Sequence, residues 1–145
     1  MRNWKPEELS AVMREYQRAC VLLAGCELEL FTALDRSPAD AATLARSLGV
    51  DLRGITSLLD ALVAMEVLEK RDGRYSNAPG VAEVLTAHGE KSMLAMGQHQ
   101  ANCLRSWSEL ARVVRTGRPA RREPSIRGES ADYASFIEAM DNVSR

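Results

Sequence analysis

A chain of 145 residues with 46% hydrophobic and 27% charged content holds one ordinary folded domain rather than a disordered segment. Its net charge of −1 gives no whole-chain pull toward nucleic acid. No apolar run approaches the roughly 20 residues of a membrane span, and Met1-Arg2-Asn3-Trp4-Lys5-Pro6 is not followed by a signal-type apolar block, so no membrane partner and a cytoplasmic location are expected.

Leu9, Val12, Met13, Tyr16, Cys20 and Leu23 recur at three- and four-residue steps, which predicts a first helix, opened by Pro6, with an apolar stripe that needs a partner. After Gly25 a second short helical stretch carries Leu28, Leu30, Phe31 and Leu34 and ends at Ser37-Pro38. A third, from Asp40, buries Leu44, Ala45 and Leu48; Gly49 supplies a left-handed stop, and Asp51 can accept the free amides that start the next helix. That helix, from Leu52 to about Met65, buries Ile55, Leu58, Leu59, Leu62 and Val63.

Val67 to Asn77 then reads as a hairpin turning at Asp72-Gly73, with Lys70 opposite Tyr75 and Leu68 opposite Asn77, so that Leu68 and Tyr75 share the face that closes over the helices. Helix-turn-helix plus hairpin predicts a mainly helical, all-α winged helix-turn-helix domain with a small β-hairpin wing. Pro79 opens a short helix through Leu85. Ser92 to Thr116 reads as one long helix in which Leu104, Trp107, Ala111 and Val114 keep the period, stopped by Gly117. The arginine-, proline- and glycine-bearing stretch 118–129 reads as an exposed connector. A last helix, capped by Ser130, gives Tyr133, Phe136, Ile137 and Met140 an apolar side. The expected organisation is a winged-helix domain over 1–117, the connector over 118–129, and a last helix over 130–145.

The chemistry-bearing residues are few. His88 and His99 are the only histidines, and Cys20, Cys26 and Cys103 lack metal-ligand spacing, so no metal site and no disulfide frame are expected. No glycine-rich phosphate loop occurs, and too few strand residues exist for a parallel sheet, so no catalytic or cofactor-binding residue is assigned. Met96, His99, Cys103 and Trp107 share one side of the long helix, which fits a packed core side or the wall of a ligand pocket. Trp107 reads as a packing anchor. The arginines at 105, 112, 115, 118, 121, 122 and 127 read as a solvated face and linker, or as a surface for an acidic partner.

Leu44-Ala45-Arg46-Ser47-Leu48-Gly49-Val50, the run from Leu58 to Met65 and the Asp72-Gly73-Arg74-Tyr75 wing resemble the N-terminal dimerisation domain of plant-type and bacterial S-adenosylmethionine-dependent small-molecule O-methyltransferases. Ser106-Trp107-Ser108-Glu109-Leu110 is similar to that family's long helix, and Phe136-Ile137-Glu138-Ala139-Met140 to its linker helix. Gly97-Gln98 stands where the plant phenolic enzymes carry Met-Asn. The resemblance implies an interlocked homodimer through the stripe Leu9, Val12, Met13, Tyr16, Cys20 and Leu23. It also implies a cap over a pocket for a small-molecule acceptor, with Met96, His99, Cys103, Trp107, Phe136 and Met140 near that acceptor. S-adenosylmethionine and the general-base histidine would belong to a following Rossmann-like domain, and this chain alone would bind no cofactor and be inactive.

Winged helices also bind DNA, so a transcriptional regulator, or a stand-alone dimerisation module, is the competing expectation. The outer side of the helix from Leu52 presents Arg53, Thr56, Ser57, Asp60 and Ala64, one strong donor beside a carboxylate that phosphates repel. Asp40 to Arg74 holds five basic residues against six acidic ones, so a nucleic-acid partner is not expected.

Overall fold

Where the apolar stripe near the N-terminus predicts one helix, the computed structural model, which describes residues 1–144, has two: α1 (Pro6–Val12) and α2 (Tyr16–Glu27). The amides of Arg14, Glu15 and Gln17 donate three residues back, to Ala11, Val12 and Arg14, and this tightening breaks the regular ladder. Nothing on α1 is buried that could hold the run straight. Helix α3 (Leu30–Asp35) follows a left-handed Glu29 (φ 52°) and buries Leu30, Phe31 and Leu34.

The next two helices form as the capping signals require. Asp40 accepts from the Thr43 amide at 2.7 Å to open α4 (Ala41–Leu48), and Gly49 (φ 65°) closes it. Asp51 accepts from the Gly54 amide at 2.7 Å to open α5 (Leu52–Ala64). Leu44, Ala45, Ile55, Leu59 and Leu62 are buried between them and α3, with Leu48, Leu58 and Val63 half-buried at the rim. Each fully buried leucine contributes about 1.5–3 kcal/mol, so this cluster is the main hold on the N-terminal half.

Strands β1 (Leu68–Arg71) and β2 (Arg74–Asn77) pair antiparallel, with Lys70 opposite Tyr75 and Leu68 opposite Asn77. Asp72 (φ 49°) and Gly73 (φ 74°) both take positive φ, the turn that matches strand twist. Leu68 and Tyr75 are each 2% exposed and close over the core. Residue 39 exchanges both backbone bonds with Tyr75 (2.8 and 3.1 Å), covering the free edge of β2 at that point. Helix α6 (Val81–Leu85) starts behind Gly80 rather than at Pro79 and packs on α3.

The long helix predicted from Ser92 is divided into α7 (Leu94–Ser108) and α8 (Leu110–Thr116). The corner is Glu109, whose amide donates to Ser106 three residues back while its carboxylate accepts from Arg112 Nε (2.7 Å) and the Arg121 amide (3.2 Å). Trp107 is 68% exposed and Val114 76%, so within this chain neither is a packing anchor. Gly117 (φ 65°) ends α8 as predicted.

Helix α9 (Glu129–Val143) begins one residue before Ser130, behind Gly128, so Ser130 is not its cap. Instead Asp132, in the first turn, accepts from the Ser125 amide and hydroxyl at 2.7 and 2.5 Å. The side of α9 turned toward α7 is also not the apolar one. Ser135 and Ala139 are buried there, while Tyr133, Phe136, Ile137 and Met140 are 67, 41, 53 and 39% exposed. Small side chains win that side because they let two helix backbones approach closely, and α7 meets it with Gln98, which is bonded to Ser135. Arg145, the last residue of the expected linker helix, lies outside the described residues. Among the described residues no helix is long and apolar enough to cross a membrane.

Candidate functional site

Helix α7 has two working sides. Leu94, Ala95, Gln98 and Ala101 turn inward to α2 and α9. His99, Asn102, Cys103 and Ser106 turn toward a groove of about 410 Å³ whose opposite wall is Tyr133 and Phe136 of α9 and whose third side is the connector at Arg121 to Pro124. That volume is within the range of a small-molecule site.

The connector lines the groove because it is tied back. Arg112 Nη2 donates to the Pro119 carbonyl at 2.8 Å, Glu109 holds the Arg121 amide, and Ser125 is clasped by Asp132. Arg112 and the Arg121 amide hold the Glu109 carboxyl below its ordinary range. Burial alone would raise Asp132, but the Ser125 amide and hydroxyl, aided by Asn102 and Arg105, outweigh it and keep the carboxyl ionised.

Inside the groove the His99 and Phe136 rings lie 5.3 Å apart, tilted by 57°. Cys103 Sγ is 3.5 Å from His99 Nε2. Arg105 is turned to Glu27 (2.8 Å) and to the Asn102 side chain. Arg127 donates to Ser135 Oγ at 2.7 Å. Three of the seven connector-region arginines, at 105, 112 and 127, are therefore structural clips, which the run of charges in the sequence did not reveal.

Of the six residues singled out in the sequence, the structure brings His99, Cys103 and Phe136 to this groove. Met96 is half-buried, its sulfur 3.6 Å from Gln100 Nε2, and it does not line the groove. Trp107 projects beyond the groove's end, and Met140 lies one turn past Phe136; neither is in the lining. Asn102, Ser106 and Tyr133 are lining residues that were not singled out; their signal was the three- and four-residue spacing from His99 and Phe136. Arg121 and Arg122 could not be found that way, since their approach depends on the folded-back connector.

The stripe expected to meet a second copy is uncovered: Leu9, Val12, Met13 and Tyr16 are 42, 48, 71 and 56% exposed, and Cys20 and Leu23 half-buried. The hairpin's cations are engaged within the chain. Lys70 Nζ donates to Asp60 at 2.8 Å, Arg71 pairs with Glu69 at 3.0 Å, and Arg74 donates to the Pro38 carbonyl. Asp60 also accepts from Tyr75 Oη at 2.8 Å, and the Lys70 and Tyr75 bonds hold its carboxyl below the usual range. No group of three or more metal-ligating side chains is assembled among the described residues.

The model of the O-methyltransferase dimerisation domain matches residues 11–88. The chain is 38% identical over 105 residues to acetylserotonin O-methyltransferase of Mus musculus, covering 68% of this chain and 27% of that protein. It is 29% identical to the tetracenomycin polyketide synthesis 8-O-methyl transferase TcmO of Streptomyces glaucescens, covering 95% of this chain and 42% of that protein. Human N-acetylserotonin methyltransferase, solved in complex with SAM, superposes with a TM-score of 0.73 at 25% identity over 98% of this chain and 46% of that one. An O-methyltransferase family protein from Burkholderia thailandensis gives 0.76 at 21% identity, 99% and 43%. This chain thus spans less than half the length of the curated relatives it matches.

Proposed function

This chain belongs to the O-methyltransferase dimerisation-domain family, and from that premise we propose that it is the winged-helix, dimer-forming N-terminal region of an S-adenosylmethionine-dependent O-methyltransferase. In that reading α4, α5 and the hairpin are the winged helix, and the uncovered stripe on α1 and α2 is buried against a second copy. Residues 118–129 connect to the linker helix that leads to the catalytic domain. The groove between α7, the connector and α9 caps the pocket of a small hydroxylated acceptor.

The observation that carries the reading is the meeting of His99 and Phe136 across a groove of about 410 Å³. A flat acceptor lies against the Phe136 ring, and the His99 imidazole offers one hydrogen bond to its hydroxyl or carbonyl, orienting it. Among the described residues no carboxylate is hydrogen-bonded to His99 as a general base would need, and its polar neighbour is the Cys103 thiol. The methyl donor does not fit on these residues: the described sheet is a single two-stranded hairpin, with no strand–glycine loop–helix unit to cradle a nucleoside. Bound in the following domain, S-adenosylmethionine supplies the methyl group; these residues hold and orient the acceptor and exclude water from it.

In the complete enzyme, His99→Ala raises the acceptor KM more than it lowers kcat, and Phe136→Ala does the same by removing apolar wall. Acceptor kinetics unchanged in both variants, with assembly intact, would remove the capping role and leave dimerisation alone.

A further inference from the structure

Beneath the groove runs a chain of buried polar contacts. Gln98 is 4% exposed and Ser135 3%. Arg127 Nη1 donates to Ser135 Oγ at 2.7 Å, Ser135 Oγ lies 2.9 Å from Gln98 Oε1, and Gln98 Nε2 donates to the Cys26 carbonyl at 3.2 Å. The single Ser135 proton has two acceptors in reach, Gln98 Oε1 and the Ala131 carbonyl at 3.0 Å; the helix already supplies a donor for that carbonyl, and among the described residues Gln98 Oε1 has no other.

Gln98 and Ser135 are the immediate neighbours of His99 and Phe136. The inward pair is joined by a hydrogen bond, and the outward pair meets as rings 5.3 Å apart. Along the buried side of α9 the residues one turn either way from Ser135 are Ala131 and Ala139. The buried side of α9 is a stripe of small residues, which gives little steric resistance to sliding or rotation, and only at Ser135 does it hold a hydroxyl. A slip of one turn would bury Gln98 Oε1 against a methyl group, at the cost of an unsatisfied buried acceptor.

We infer that Gln98 and Ser135 are positioning residues that fix the register of α9 on α7 and thereby set the His99–Phe136 wall of the groove, Arg127 holding the Ser135 hydroxyl from the connector side. This inference rests on the acceptor-groove reading for its consequence in binding, and on geometry alone for the register.

The test uses the chain in solution, with His99 ring-proton resonances reporting the Phe136 ring current and 2-naphthol as the titrated probe. Ser135→Ala is expected to move the His99 resonances toward their position in Phe136→Ala and to weaken 2-naphthol roughly fivefold to tenfold, while far-UV circular dichroism stays that of the parent. Should Ser135→Ala fail to fold, Gln98→Leu with Ser135→Ala removes the bond without orphaning its acceptor, and the same shift is expected. A folded variant with unmoved His99 resonances overturns the register role, and moved resonances with unchanged naphthol affinity overturn the positioning role. A parent chain whose His99 ignores naphthol sinks the acceptor-groove reading instead, and the ring-current measurement still decides the register.

Discussion

Replacing Gly97 by alanine sets two effects of known sign against each other. Gly97 sits on α7 where the helix crosses α2, and a Cβ built there would stand 2.6 Å from Cys26 Sγ and 3.1 Å from Cys26 Cβ. Optimal separation of such atoms is about 3.5–4.0 Å, so roughly 1 Å of clearance has to be found. Cys26 is 1% exposed, so its Sγ cannot swing out into solvent. Overpacking of this kind costs about 1–3 kcal/mol, and a contact of 2.6 Å belongs in the upper half of that range, about 2–3 kcal/mol, whereas alanine for glycine inside a helix gains about 0.8–1 kcal/mol. The clash wins, for a net loss of about 1–2 kcal/mol, a fall in Tm of roughly 3–8 °C for a chain of this size. Cys26→Ala alone costs about 1–2 kcal/mol as a buried sulfur is lost. The double variant removes the nearest clashing atom, so it is expected to be more stable than the sum of the two single losses by about 1 kcal/mol. Urea denaturation at one fixed protein concentration measures all four proteins. Gly97→Ala at or above the parent's stability, or strict additivity in the double variant, would refute the close-approach argument.

Light scattering on the folded chain at micromolar concentration should give the mass of a homodimer, and Met13→Glu with Tyr16→Glu should halve it; a monomeric parent would remove the dimer reading. Titration calorimetry with S-adenosylmethionine should give no saturable heat at micromolar cofactor, and a saturating isotherm would mean that these residues do cradle it. Asp60 has its folded-state carboxyl pKa lowered, so its contribution to stability is present above the unfolded-state value and is lost as pH falls through the folded one. The deficit of Asp60→Asn relative to the parent should therefore be present at pH 7 and shrink steadily below about pH 4; a deficit independent of pH would show that the charge on Asp60 is irrelevant to its bonds with Lys70 and Tyr75.

The stretch from Asp40 to Asn77 was legible because its signals are local. Asp40 and Asp51 cap the amides three residues ahead of them, and Asp72-Gly73 sets the hairpin register. The break between α1 and α2 is a local tightening within an unbroken periodic pattern, and the later errors came where a long-range contact overrode periodicity. Glu109 sits in an unbroken helical pattern, but its carboxylate is drawn to the Arg121 amide twelve residues on, and the chain turns there. Tyr133, Phe136, Ile137 and Met140 mark an apolar side correctly, yet apolarity does not say whether that side meets the chain's own core or something else. The small residues at 131, 135 and 139 decided it, and a stripe of that kind carries no hydrophobic signal. His99 and Phe136 could be placed on their helices from spacing; that they face each other follows from the connector's fold-back, held by Arg112, Ser125 and Asp132.

Because Ser135 and Ala139 are the residues of α9 that are fully buried, the aromatic side chains that line the groove, Tyr133 and Phe136, are not the ones enclosed between the helices. Tyr133, 67% exposed, contributes little to keeping α9 in place. Sequence drift at Tyr133 and Phe136 can therefore re-cut the groove with the contact between α7 and α9 left in place, whereas drift at Ser135 moves that contact itself. A lineage built on this scaffold is free to explore new ligands on one side of a helix while purifying selection acts on the other.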